Sequence, residues 1–205
     1  MLREVCKGIL AGLMISIGGA VYLSCQDKYI GAGLFSVALL TICYMQFSLF
    51  TGKIGFVAED YSKKNISATA LSLLGNLIGC IAFGLLMSLC FTDLVQTSSG
   101  ICITKLSQPI YGTLIRAFFC GVLMYVAVWA YKFKNTVIGI FVCIPVFILS
   151  GFEHSIANMY YFSIAQSFSL NSLLYIVLCV VGNSVGGMII PLLTKLTKEK
   201  SKNES

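Results

Sequence analysis

The chain has 205 residues, of which 58% are hydrophobic and only 11% charged, with a formal net charge of +6. A soluble domain carries about 25% charged residues, so there is too little charge here to clothe a water-soluble globule. That excludes a soluble enzyme, a disordered chain and a secreted disulfide scaffold, and it marks an integral membrane protein.

Six apolar stretches approach the ~20 residues that cross a bilayer. In chain order they cover residues 5–25, 29–47, 68–91, 111–131, 136–161 and 172–193. The first opens with Met1-Leu2-Arg3-Glu4-Val5-Cys6-Lys7 and runs on to Cys25 without a small-residue cleavage site, so it reads as a retained span. The second meets Leu49-Phe50-Thr51-Gly52-Lys53 and then resumes over 54–58. The fifth meets Ser150-Gly151-Phe152-Glu153-His154-Ser155 and resumes over 156–162. Between the spans lie Asp27-Lys28, residues 61–65, a loop over 92–108, residues 132–135 and residues 166–171, and a Lys-rich tail covers 195–205. The expectation is an all-α membrane protein with a single transmembrane domain over 1–205. It has six helices, of which the second and fifth are broken.

Basic residues orient the spans, because they concentrate on the cytoplasmic side. With the N-terminus inside, cytoplasmic segments hold Arg3, Lys7, Lys63, Lys64, Lys132, Lys134, Lys195, Lys198, Lys200 and Lys202, whereas external loops hold Lys28 and Lys105. Both termini are therefore expected in the cytoplasm of a multi-pass protein of the cell membrane. The positive balance answers to topology and to the bilayer, not to nucleic acid. The nine cysteines are scattered through apolar runs with no C-x-x-C pair and no histidine at ligand spacing. Free cysteine behaves there as a small hydrophobe, so no metal and no cofactor is expected.

The two halves resemble each other. Gly75-Asn76-Leu77-Ile78-Gly79 in the third span is matched by Gly182-Asn183-Ser184-Val185-Gly186 in the sixth. Small residues four apart let helix backbones approach, and an adjacent Asn can bond across the contact. Three spans per half force the halves, about 5–91 and 109–194, to insert with opposite orientation. Inverted repeats of this aquaporin-like kind place a permeation site near the midplane, at interrupted helices. Broken backbone at membrane depth survives only where it is buried in protein or lines a water-filled cavity. One break per half thus points to a pore.

His154 is the only histidine and lies in the second break. It is either a core histidine satisfied by Glu153 or Asn158, or a functional group, as ionisable residues at membrane depth are by default. Its imidazole, with an ordinary pKa near ~6.5, can donate a hydrogen bond or a proton to a permeant species. Thr51 offers a hydroxyl from the opposing break and can also cap the second half-helix of its span. Asn158, one turn on, can orient the ring or bond freed backbone. Glu153 reads as a loop anchor. Lys7, Lys53, Lys132 and Lys134 can draw anions toward a mouth. Arg116, inside a span, needs partners such as loop carbonyls.

These strings resemble the formate/nitrite transporter family of pentameric anion channels. Gly151-Phe152-Glu153-His154-Ser155-Ile156-Ala157-Asn158-Met159 is similar to that family's most specific motif, and Leu49-Phe50-Thr51-Gly52 to its second-span loop. Arg116 with Cys120 and Val126-Ala127-Val128-Trp129 resembles the fourth span, and Gly182-Asn183 with Gly186-Gly187 the sixth. The resemblance implies a homopentamer, not an enzyme, that passes small monovalent anions such as formate or nitrite. It also implies apolar pore collars at Phe35, Leu39, Phe50 and Phe147, with Met124 beside them. Lys53 directly after Thr51-Gly52 resembles the hydrosulfide branch, which leaves hydrosulfide as an alternative substrate. Outside the family, a neutral-solute channel of the aquaporin kind shares the layout, but it should carry two Asn-Pro-Ala boxes, and the three prolines, Pro109, Pro145 and Pro191, form none.

Overall fold

The computed structural model describes residues 1–203, and side chains through residue 197. The side chains of Lys198, Lys200 and Lys202, and the end of the tail, lie outside the described residues. Among the described residues the chain is all helix, without a strand: α1 (Leu2–Ser24), α2 (Lys28–Tyr44), α3 (Phe50–Val57), α4 (Lys63–Ser88), α5 (Thr92–Leu106), α6 (Ile110–Lys134), α7 (Ile138–Leu149), α8 (Ser155–Ile164) and α9 (Leu170–Asn203). Four of these, α1, α4, α6 and α9, are long and apolar enough to cross a membrane. The shorter apolar helices α2 and α7 each run into a break, beyond which lie the short helices α3 and α8.

Local chemistry sets the boundaries. Asp27 caps α2 by accepting from the Tyr29 and Ile30 N–H groups, and Ser62 caps α4 by accepting from Asn65 N–H. Pro109 sits at the start of α6, and Asn135 ends it in the left-handed conformation, φ 49°. Residues 92–108 are not the loop expected from their polarity. Their only charges are Asp93 and Lys105, and Leu94, Ser98 and Cys102 recur every fourth residue as one buried face, which makes them helix α5. The serine in the middle of that stripe hides it in a hydropathy reading; buried, its Oγ donates to the Tyr161 carbonyl at 2.9 Å.

Glycine decides how the long helices pair. A Cβ on Gly8 of α1 would lie 2.9 Å from the Gly75 Cα of α4, and one on Gly186 of α9 would strike the Phe118 carbonyl of α6. Those approaches exist because no side chain intervenes. The opposite, outward faces are apolar: Leu74 and Ile78 on α4, Val142 and Val146 on α7, Val177 and Val181 on α9 are all exposed. The most deeply buried short element is α8, whose ten residues are all inside. The polar groups of the two breaks therefore sit at the centre of the helical assembly.

Candidate functional site

Both breaks are built the same way. Helix α2 closes with Gln46 at φ 54° and Phe47 N–H returning to the Ile42 carbonyl at 2.9 Å. Helix α7 closes with Gly151 at φ 66° and Phe152 N–H returning to the Phe147 carbonyl, also at 2.9 Å. Each is a six-to-one helix end with its turn residue in the left-handed region. The chain then runs extended, with Ser48 N–H donating to the Lys7 carbonyl (3.2 Å) and Glu153 N–H to the Arg116 carbonyl (3.3 Å). Two fully buried asparagines hold these extended segments to the short helices. Asn76 accepts from Phe50 N–H (2.8 Å) and donates to the carbonyls of Gly8 and Ser48 (2.9 Å each). Asn183 accepts from Ser155 N–H and donates to the carbonyls of Ala117 and Glu153, all at 2.8 Å. Backbone stripped of helical partners away from water must find others, and here one amide per break supplies two such bonds and ties the break to a neighbouring helix with a third. Arg116 adds a bond from Nη1 to the Gly151 carbonyl at 3.1 Å.

His154 is the N-cap of α8: its Nδ1 accepts from Ala157 N–H at 3.1 Å. Nδ1 is thus the bare nitrogen, and the neutral ring carries its proton on Nε2. Nε2 lies 2.8 Å from Thr51 Oγ1, so the ring donates and the hydroxyl accepts, which leaves the hydroxyl's own proton as a donor. An imidazolium in this pose would point its Nδ1–H at another N–H, so charging the ring requires it to leave the cap. The ring is 3% exposed and stacks on Phe147 (centroids 5.6 Å apart, planes at 20°), which meets Phe35 edge-on at 6.4 Å.

Two cavities flank this pair. One, of about 460 Å³, is lined by Phe35, Phe147, His154, Asn158, Glu153, Lys105 and Arg116. The other, of about 520 Å³, is lined by Leu39, Leu49, Gly52, Lys53, Glu4, Lys7 and Lys132. His154 faces the first; Thr51 is buried and lines neither, but Leu49, Gly52 and Lys53 beside it face the second, so the Thr51–His154 bond lies between the two. Each cavity holds more cations than carboxylates among these residues.

The carboxylates are bound in different ways. Glu153, with a side chain 2% exposed, pairs with Lys105 and accepts from Asn158 Nδ2 (2.9 Å) and Gln108 Nε2 (3.2 Å). Glu4 pairs with Lys53 at 2.9 Å, and the same Oε2 accepts from Ser48 Oγ at 2.9 Å, with both charged side chains just over a quarter exposed.

Of the residues singled out in the sequence, Thr51 and His154 come together directly. Asn158 turns to Glu153 and to Cys179 Sγ (3.4 Å), not to the imidazole, whose orientation comes from Ala157 and Thr51. Phe35, Phe147 and Leu39 face the cavities, whereas Phe50 and Met124 are buried and line neither. Lys7, Lys53 and Lys132 reach the second cavity, with Lys132 Nζ 4.0 Å above the Phe56 ring. Lys134 instead lines a separate groove with Glu59, Trp129 and Lys195. Sequence reasoning missed Lys105, Gln108 and Glu4, whose partners are 44 to 49 residues away.

The sequence pattern described as formate/nitrite transporter matches residues 1–197. An uncharacterized transporter of Bacillus subtilis, YrhG, is 28% identical over 182 residues, which is 80% of this chain and 68% of that one. The nitrite transporter NirC of Salmonella typhimurium is 26% identical over 197 residues, 86% of this chain and 73% of that one. Among solved structures, a pentameric formate channel with formate bound superposes with a TM-score of 0.83 at 21% identity, covering 97% of both chains. These relatives are channels and transporters, not enzymes.

Proposed function

The chain belongs to the formate/nitrite transporter family, and from that premise we propose that it passes small monovalent anions of weak acids, formate or nitrite, across the cell membrane at the Thr51–His154 pair. The observation that carries this is the donor chain Nε2–H to Oγ1–H, set in the wall between two cation-rich cavities. An anion gathered in the 460 Å³ cavity meets apolar rings at Phe35 and Phe147, one in the 520 Å³ cavity meets Leu39 and Leu49, and either loses water there, at high cost unless donors replace it. The Thr51 hydroxyl, polarised by the imidazole behind it, is such a donor. In the capped pose the ring supplies a hydrogen bond; handing on a proton requires it to take up a second one first. The anion then crosses as the neutral acid. Asn158 and Glu153 serve this step by fixing the loop that carries His154.

Around the site we place six spans in two inverted three-helix halves, with α2–α3 and α7–α8 as the broken spans and both termini in the cytoplasm. The matched hydrogen bonds of the two breaks and the ten-to-two distribution of basic residues support this arrangement. One transmembrane domain accounts for residues 1–205, and the pentameric solved relative supports a homopentamer. Hydrosulfide is the alternative substrate, favoured by Lys53 facing the 520 Å³ cavity next to Gly52. Flux into liposomes of formate, nitrite, hydrosulfide and chloride, measured side by side, tests the proposal. Weak-acid anions should cross well ahead of chloride, and equal rates for all four would contradict it.

A further inference from the structure

Lys53 and Ser48 present an ammonium and a hydroxyl to one carboxylate oxygen, Glu4 Oε2, each at 2.9 Å, on the wall of the 520 Å³ cavity. Lys53 Nζ is itself 3.5 Å from Ser48 Oγ, so the two donors stand side by side at the carboxylate. Two donors converging on a single oxygen is the arrangement a small carboxylate or nitrite needs when it leaves water. Glu4 sits in the first turn of α1, and its side chain is 28% exposed, whereas Glu153 on the opposite side is 2% exposed and held by three side-chain donors. One carboxylate is fixed; the other can be exchanged.

We propose that Lys53 and Ser48 form an anion subsite in this cavity, with Glu4 as a tethered competitor that occupies it until a permeant anion takes its place. The inference rests on the anion-channel reading above. Glu4 keeps the subsite from retaining an anion: an arriving carboxylate swings Glu4 aside, and Glu4 returns to eject it toward the Thr51–His154 wall or back to the mouth. A partly exposed pair of this kind shifts an equilibrium by up to about fivefold. Removing the competitor should therefore tighten apparent affinity by about that factor.

Three variants separate competition from charge. Glu4→Gln removes the carboxylate charge. Glu4→Asp keeps the charge but shortens the reach by one methylene. Ser48→Ala removes the second donor. Lys53 acetylation by an amine-reactive ester in detergent-solubilised protein, read by peptide mass spectrometry, reports the subsite without any flux. The expected result is faster Lys53 acetylation in both Glu4→Gln and Glu4→Asp, suppressed by sodium formate or nitrite, and less suppressed when Ser48→Ala is added. In liposomes both Glu4 variants should lower the KM for formate about fivefold. If Glu4→Asp behaves as wild type while Glu4→Gln does not, Glu4 acts through charge alone and the competitor is wrong. If neither variant changes acetylation, or formate gives no protection, the subsite is wrong even where wild-type flux is present. Protection of Lys53 without flux from wild type would keep the subsite and overturn the transport reading.

Discussion

Residues 48–53 and residues 153–158 are tied down by the same backbone hydrogen bonds, yet no two matched positions carry the same side chain. Where the first break has Ser48, Leu49, Thr51 and Lys53, the second has Glu153, His154, Ile156 and Asn158. The structural work is done from outside, by Asn76 on α4 and Asn183 on α9, so the breaks themselves are free to carry chemistry. The first contributes a hydroxyl and a partly exposed ion pair. The second contributes the imidazole, which also caps its own helix, and a buried, fully bonded ion pair. A leucine at the position matching His154 cannot cap, and α3 has no side-chain cap.

The sharpest break of this comparison is at the two lysines. Removing one partner of a buried pair typically costs about 3–5 kcal/mol, because the other charge is stranded. An exposed pair costs about 1 kcal/mol or less. Lys105→Met should thus destabilise the protein severely by leaving Glu153 unpaired, while Lys53→Met should hardly change stability. Thermal denaturation in detergent measures both, and equal losses would dissolve the distinction between the pairs. Next in size are the asparagines. Asn76→Ala leaves Phe50 N–H and the Ser48 carbonyl unmatched, and Asn183→Ala does the same to Ser155 N–H and the Glu153 carbonyl, at roughly 1–3 kcal/mol for an unsatisfied buried group, with relaxation in the membrane reducing the sum. The two variants should lower stability alike in the same assay; a loss confined to one would mean the breaks are not equivalently held. The smallest effect is expected at Thr51→Val, which removes one donor to the anion. Formate flux should fall about tenfold, the worth of one hydrogen bond, with its pH profile unchanged. A shifted profile would mean that the Thr51 hydroxyl takes part in the titration, so that the proton step would not belong to His154 alone.

Much of this architecture was legible in the sequence. Thr51-Gly52-Lys53 and residues 150–155 interrupt apolar runs, and the Gly-Asn pairs of α4 and α9 repeat with the same spacing. The side chains that meet at the site were harder to read. Lys105 reads as a loop lysine because six of the fifteen residues of α5 are Thr, Ser or Gly, and nothing near it in the chain announces Glu153, 48 residues on. The pairing of Glu4 with Lys53 is equally a product of packing α1 beside the first break. Histidine is not among the usual N-cap residues, so the Ala157 bond that fixes the tautomer of His154 was invisible, and Asn158 was the more natural guess for orienting the ring.

The central claim is that the donor chain from His154 through Thr51 meets the anion. Its most direct test is stopped-flow uptake of formate into liposomes at a series of pH values by wild type and His154→Asn, with the oligomeric state of each checked by native mass spectrometry. Asn keeps polarity and approximate size but cannot exchange a proton near neutral pH. The variant should stay folded and assembled as wild type while losing the pH-dependent component of uptake. Wild-type rates and an unchanged pH profile in His154→Asn would contradict the claim and make His154 a helix cap and nothing more.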